Sequence, residues 1–192
     1  MLHTLIRRFP GLPAALALAS TSALSVVMVL VRWGYTDRLQ FRFIIWNLIL
    51  AWIPLCCALL AARAKGRLAL LALASTWLLF FPNAPYVLTD LMHFRVRDVP
   101  YWYDLIMLVT FAWTGALAGY LSLYLMHQRM TEQLGRLGGW VFAIVTLALG
   151  SFGIYLGRFE RWNSWDVLVN PIDIARDIWS RIANPFDYER TY

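Results

Sequence analysis

Five stretches of this chain carry no charged side chain: residues 12–31, 43–62, 68–88, 105–126 and 137–157. Each is close to the roughly 20 residues that a helix needs to cross about 30 Å of hydrocarbon. Lipid offers the backbone N–H and C=O groups no hydrogen-bond partners, so an open chain can span it only as helix. The expected fold class is therefore all-α, a polytopic transmembrane bundle of about five spans over residues 1–157. A tail of different character, residues 158–192, follows.

Composition agrees with lipid as the solvent. The chain has 192 residues, of which 60% are hydrophobic and 15% charged; soluble domains carry about 25% charged residues. Mean hydropathy is +0.58. Ten Trp and nine Tyr suit the membrane–water interface. The net charge of +6 comes from basic residues in short segments between apolar runs. Membrane topology accounts for them, and nucleic acid is not an expected partner. The start has the look of a signal peptide, with Arg7 and Arg8 before an apolar run. That run is too long for a signal core of about 7–15 residues, and Arg32 and Trp33 follow it, so it reads as a retained span. Cys56 and Cys57 are adjacent, diverge by about 100° on a helix, and form no two-cysteine site.

Threading the spans up and down sorts the polar residues. One side collects Arg7, Arg8, Arg63, Lys65, Arg67, Arg129 and Arg136, opposed only by Glu132. The other side holds nearly all the acids, mixed with arginines and aromatics. The basic belt reads as cytoplasmic, which places the N-terminus inside, in a bacterial inner membrane. On the mixed side the third run is interrupted. In "FFPNAPYVLTD" Pro82 and Pro85 each remove a backbone donor and disfavour helix in the preceding residue. Carbonyls near Leu78 and Phe81 are expected to lose their helical partners. Free backbone at membrane depth is tolerated where protein or a polar cavity covers it, so this break marks a candidate site.

Four blocks carry a family resemblance: "WNLILAWIP" from Trp46, "FPNAPYVLTDL" from Phe81, "YDLIMLVTFAWTG" from Tyr103 and "GSFGIYLGRFERWNSWDVL" from Gly150. They resemble an uncharacterised family of bacterial integral membrane proteins known only as a domain of unknown function. The resemblance implies a multi-pass membrane protein and implies no activity. It also implies a further hydrophobic span after a segment like "NPFDYERTY", whereas the sequence ends at Tyr192.

Within the mixed side, Asp90 and His93 are three apart and share a helical face, and Asp104 opens the next span. A carboxylate, an imidazole and a second carboxylate are candidate ligands for a divalent metal, or candidate catalytic groups of a membrane-face hydrolase or transferase. The pattern is not HExxH and lacks a second zinc-type His, since His3 and His127 fall on the opposite side. Arg158 and Arg161 are also three apart and suit a phosphate or carboxylate; the competing expectation pairs them with Asp90, Asp104 or Asp166. Asn47, Asn83, Tyr86, Trp162, Asn163, Trp165 and Asp166 complete the candidate ligand-binding set. "GSFG" is not a GxSxG nucleophile elbow, and there is no phosphate-loop or dinucleotide fingerprint.

The expected function is a membrane protein that binds a small anionic ligand or lipid headgroup at a polar mouth. The enzyme reading and a small transporter subunit are the alternatives, the latter opposed by the absence of an internal repeat. Expected partners are membrane lipids. Small residues at four-residue spacing, Ala15/Ala19/Ala23, Gly115/Gly119 and Gly153/Gly157, suit close helix packing within one bundle, with a homo-oligomer seam as the alternative. In the tail, Asn170 caps and Pro171 opens an amphipathic helix over 171–183, stopped by Asn184-Pro185. Its apolar stripe is Ile172, Ala175, Ile178, Trp179 and Ile182, with Asp173, Arg176, Asp177, Ser180 and Arg181 opposite.

Overall fold

The computed structural model describes residues 11–38, 40–94 and 98–183. The expectations placed on His3, Arg7, Arg8, Asn184 and Pro185, and on the side chains of Arg181 and Ile182, lie outside the described residues. All regular structure among the described residues is helical: α1 (Leu12–Thr36), α2 (Arg42–Ala61), α3 (Arg67–Phe80), α4 (Asn83–Tyr86), a 3-10 helix (Val87–His93), α5 (Tyr101–Phe159), α6 (Asp166–Val169) and α7 (Pro171–Ala183). The all-α expectation is borne out. Among the described residues, four helical segments are long and apolar enough to cross a membrane: Pro13–Thr36, Arg42–Ala61, Arg67–His93 and Tyr101–Phe159.

The last of these is two arms rather than one rod. Gly135 has φ 78° and ψ 173°, a conformation open to glycine but strained for other residues. The arms fold back on each other there. The His127 and Trp140 rings meet with centroids 5.0 Å apart, and a Cβ on Gly139 would collide with Thr131.

Between these arms sits the interrupted third run. Its α-helix stops at Phe80, and the chain continues as the single turn of α4 and then the 3-10 helix. The Phe81 carbonyl is not left free, because the Ala84 N–H donates to it at 3.2 Å. That corrects the expectation of an orphaned carbonyl at Phe81. Tightening the turn in this way withdraws a partner one residue earlier, where Asn83 Nδ2 donates to the Phe80 carbonyl at 3.0 Å. Protein covers the segment on both flanks. Gly115 and Gly119 of the first arm face Val87, Ala84 and Pro85. Gly150, Gly153 and Gly157 of the second arm face Phe81, Pro82 and Tyr86. Both glycine pairs are thus spent on packing inside the bundle. On α1 only Ala15 of the alanine trio is buried, while Ala19 and Ala23 face outward. The buried face of α1 runs through Ala15, Leu18, Ser25, Val29 and Arg32 instead.

Lipid tails are as apolar as leucine, so close packing and polar bonds, rather than expulsion of water, hold such helices together. One bond dominates. Arg32 donates to both carboxylate oxygens of Asp104, at 2.7 and 3.2 Å, with the two side chains 2% and 1% exposed. The guanidinium also donates to Gln40 Oε1 at 3.2 Å and lies 4.7 Å from the Phe41 ring centroid. Tyr103 donates to the Met28 carbonyl at 2.8 Å, Trp52 to Ser22 at 3.0 Å and Thr114 to Thr21 at 3.1 Å. Together these fasten α1 to α2 and to the first arm of α5.

α7 forms over Pro171–Ala183, the expected amphipathic helix. Ile174 is buried and Ile178 partly so, whereas Ile172, Ala175 and Trp179 face away from the bundle. The helix docks through Ile174, Asp177 and Ile178, and it leaves a second apolar edge outward, as a helix lying in an interface does.

Two outcomes are expected. Asp104→Ala should destabilise the bundle by about 3–5 kcal/mol, because it leaves a buried guanidinium uncompensated; the double change Arg32→Met/Asp104→Leu should recover most of that loss in detergent melts. Gly115→Ala should cost about 1–3 kcal/mol through overpacking, since its Cβ would lie 2.8 Å from Val87 Cβ and 2.9 Å from the Ala84 carbonyl oxygen. Gly34→Ala, with nothing within 4 Å, should cost nothing in the same assay.

Candidate functional site

The 3-10 helix brings Asp90 inward, 2% exposed, against the start of α2 and the end of α5. Asn47 donates to Asp90 Oδ2 at 2.8 Å. The other oxygen, Oδ1, is buried and accepts no hydrogen bond among the described residues. Two cationic or potentially cationic groups stand just beyond bonding distance of it: Arg158 Nη1 at 3.8 Å and His93 Nδ1 at 3.9 Å. His93 Nδ1 is closer to the Asp90 main-chain carbonyl, at 3.3 Å. A carbonyl only accepts, so in this contact Nδ1 is the donor. Phe43 sits edge-on to the imidazole with centroids 4.8 Å apart.

These groups line a polar recess of about 440 Å³, formed by Phe43, Asn47, Tyr86, Asp90, His93, Gly157, Arg158 and Arg161. Arg158 is largely buried, 14% exposed, yet makes no hydrogen bond with any described residue; its long ion pair to Asp90 is its only contact of that kind. Arg161 has neither an ion pair nor a hydrogen-bonded acceptor among the described residues. It is also the residue at which the chain turns after α5, with φ 61° in the left-handed region. The Trp162 N–H closes that turn on the Leu156 carbonyl at 3.2 Å. A residue other than glycine in this conformation is strained, and such strain collects at functional positions.

The remaining candidates are distributed as follows. Asn83 Nδ2 also donates to Ser164 Oγ at 2.7 Å, tying α4 to the segment after α5. Trp162 Nε1 donates to Asp177 Oδ2 at 2.9 Å and anchors α7. Asp166 Oδ2 accepts from the Asn163 N–H and side-chain amide, at 2.7 and 3.2 Å, and so shapes the turn into α6 rather than pairing with an arginine. Asp166 and Trp165 line neither this recess nor the larger one beside it, whereas Asn83, Trp162 and Asn163 line the larger one.

Asp104 requires a correction. It does not converge with Asp90 and His93, because Arg32 holds it in the buried pair at the other edge of this end of the bundle. No group of three metal-ligating side chains occurs among the described residues. The expected Asp90/His93/Asp104 triad is thereby reduced to Asp90 and His93. Reasoning from sequence missed Phe43 and Ser164 as parts of the site. Phe43 opens the second apolar run on the mixed side, which is a usable signal; nothing in the spacing points to Ser164.

Fold and site together define a multi-pass, all-helical membrane protein with a polar recess at one end of its bundle. Over residues 46–190 the chain matches the family described as protein of unknown function (DUF1361), and it belongs to that family. No curated protein and no solved structure matches it.

Asn47 supplies the hydrogen bond that reaches the Asp90 carboxylate. Asn47→Leu should therefore cost about 1–3 kcal/mol or more, the penalty for stranding a buried polar group, and a detergent melt beside wild type checks it.

Proposed function

We propose that the recess binds an anionic group, a small oxyanion or a lipid headgroup, with Arg158 and Arg161 as its contacts. One observation carries the reading: two arginines meet in a polar recess with no hydrogen-bonded acceptor among the described residues. Arg158 is the more telling, since a largely buried guanidinium without hydrogen-bonded acceptors is rare unless something else supplies them. Phosphate and carboxylate are the acceptors whose geometry fits the guanidinium fork. Asp90 holds Arg158 in place from behind without using up its donors, and Tyr86 adds an aromatic wall.

The same reading places the recess on the outer face of a bacterial inner membrane. Its support is the belt of Arg63, Lys65, Arg67, Arg129 and Arg136 at the opposite end, which the positive-inside rule assigns to the cytoplasm. Arg129 is fixed there by Glu132 at 2.8 Å and by the Ala64 carbonyl at 2.7 Å.

Arg161→Gly tests the proposal with little risk to the fold. Glycine removes the left-handed strain of about 1–2 kcal/mol, and its extra unfolded-state entropy costs about 0.5–1 kcal/mol. The two nearly cancel, so the melting temperature should be unchanged. Affinity for inorganic phosphate or glycerol 3-phosphate should fall at least tenfold, corresponding to loss of a charged hydrogen bond of about 1.5–3 kcal/mol. Equal affinity in the variant and wild type overturns the proposal.

A further inference from the structure

The polar recess does not end at the arginines. Asn47, Tyr86, Gly157 and Arg161 line it and also line a second, mainly apolar recess of about 680 Å³. That volume falls in the range of ligand sites, about 300–1,000 Å³. Ser75 and Leu79 of α3, Leu149 and Phe152 of α5, Val167 of α6 and Ile178 of α7 form its walls. Ser75 and Leu149 lie about two helical turns inside the mouth residues Pro82 and Gly157. The recess therefore runs from the polar end of the bundle along the helices toward the apolar middle.

We infer that the two recesses hold one lipid molecule, with a phosphate-bearing headgroup at Arg158 and Arg161 and an acyl chain along α3 and the second arm of α5. The inference rests on the anion-binding reading and names its ligand. A soluble anion would use the polar recess and leave the apolar one without purpose. A lipid uses both, with charge at the mouth and chain at depth. Entry from the side is open, since Trp46 and Leu78 on the recess wall are 53% and 37% exposed on the surface that faces lipid. α7 roofs the mouth with Ile174 and Ile178, and the Trp162–Asp177 bond fastens it there.

The physics also dictates where selectivity must come from. An acyl chain that leaves the bilayer for this recess exchanges one apolar surrounding for another, so the chain adds little affinity. The headgroup charge must then decide which lipid binds, and the recess must decide that the anion arrives on a lipid. A lipid shell that merely coats the bundle would show no such preference.

Native mass spectrometry of the detergent-purified full chain tests this, with three probes: dioleoyl phosphatidylglycerol, dioleoyl phosphatidylcholine and glycerol 3-phosphate. Wild type should prefer the anionic lipid at least tenfold over the zwitterionic one. Ser75→Trp fills the recess from a surface-facing position on α3. It should weaken phosphatidylglycerol at least fivefold and leave glycerol 3-phosphate within twofold. Val167→Trp intrudes from the opposite wall at another exposed position and carries the test if the first variant does not fold. Wild-type lipid binding in the folded recess variants, with both anions lost in Arg161→Gly, overturns the lipid assignment and leaves anion binding standing. Unchanged binding of both anions in Arg161→Gly overturns both. Equal binding of the two lipids by wild type identifies a non-specific lipid shell and overturns this inference alone.

Discussion

Backbone freed at membrane depth must be covered, and that constraint organises this molecule. Pro82 and Pro85 cannot donate, and past Phe81 the chain keeps one α-turn, Asn83–Tyr86, before tightening to a 3-10 helix over Val87–His93. In water the exposed groups would be hydrated; in lipid they need protein around them. The two arms of α5 provide it by closing on Phe81–Val87 from both sides, and five glycines line the contact. Glycine is required because the backbones approach so closely that a Cβ on Gly115 or Gly153 would sit under 3 Å from its neighbour. The reversal at Gly135 follows from the same need, since one straight helix could cover only one flank.

The cost of breaking α3 is offset by what the break positions. An uninterrupted helix would not set Asp90 against Asn47 and Arg158 in this way. The 3-10 turn does, and it opens a recess between α2 and the end of α5. Charge is then divided unevenly across that end of the bundle. Arg32 and Asp104 consume each other in a dry bidentate pair that clamps α1. Asp90 meets Arg158 only at long range, and Arg161 meets no acid among the described residues. The first pair is scaffold, and the leftover positive charge is what the proposed anion would meet.

Much of this was legible in the residues. Uncharged runs of membrane-spanning length announce helices, because lipid permits little else. The prolines announce the break, and spacing correctly places Asp90 beside His93 on one turn. Asp104 shows the limit. Its position at the start of a span on the mixed side is compatible with joining Asp90 or with pairing elsewhere, and the partner it takes lies 72 residues away in sequence. Which acid meets which arginine depends on helix rotation, and composition does not encode rotation. On α7 the spacing places Ile172, Ala175, Ile178 and Trp179 on one face, but which of them touches protein is again a matter of rotation: Ile178 is partly buried, and the other three face outward.

By itself, then, the sequence determined the solvent, the helical class and the end of the bundle where polar chemistry collects, because each follows from backbone hydrogen bonding and from the cost of placing charge in hydrocarbon. Tertiary structure alone decided that Asp104 is clamp rather than ligand, that Arg161 meets no acid among the described residues, and that the polar recess continues into an apolar one. Those outcomes rest on distances of a few ångströms between helices, set by glycine contacts and helix rotation, which no one-dimensional spacing carries.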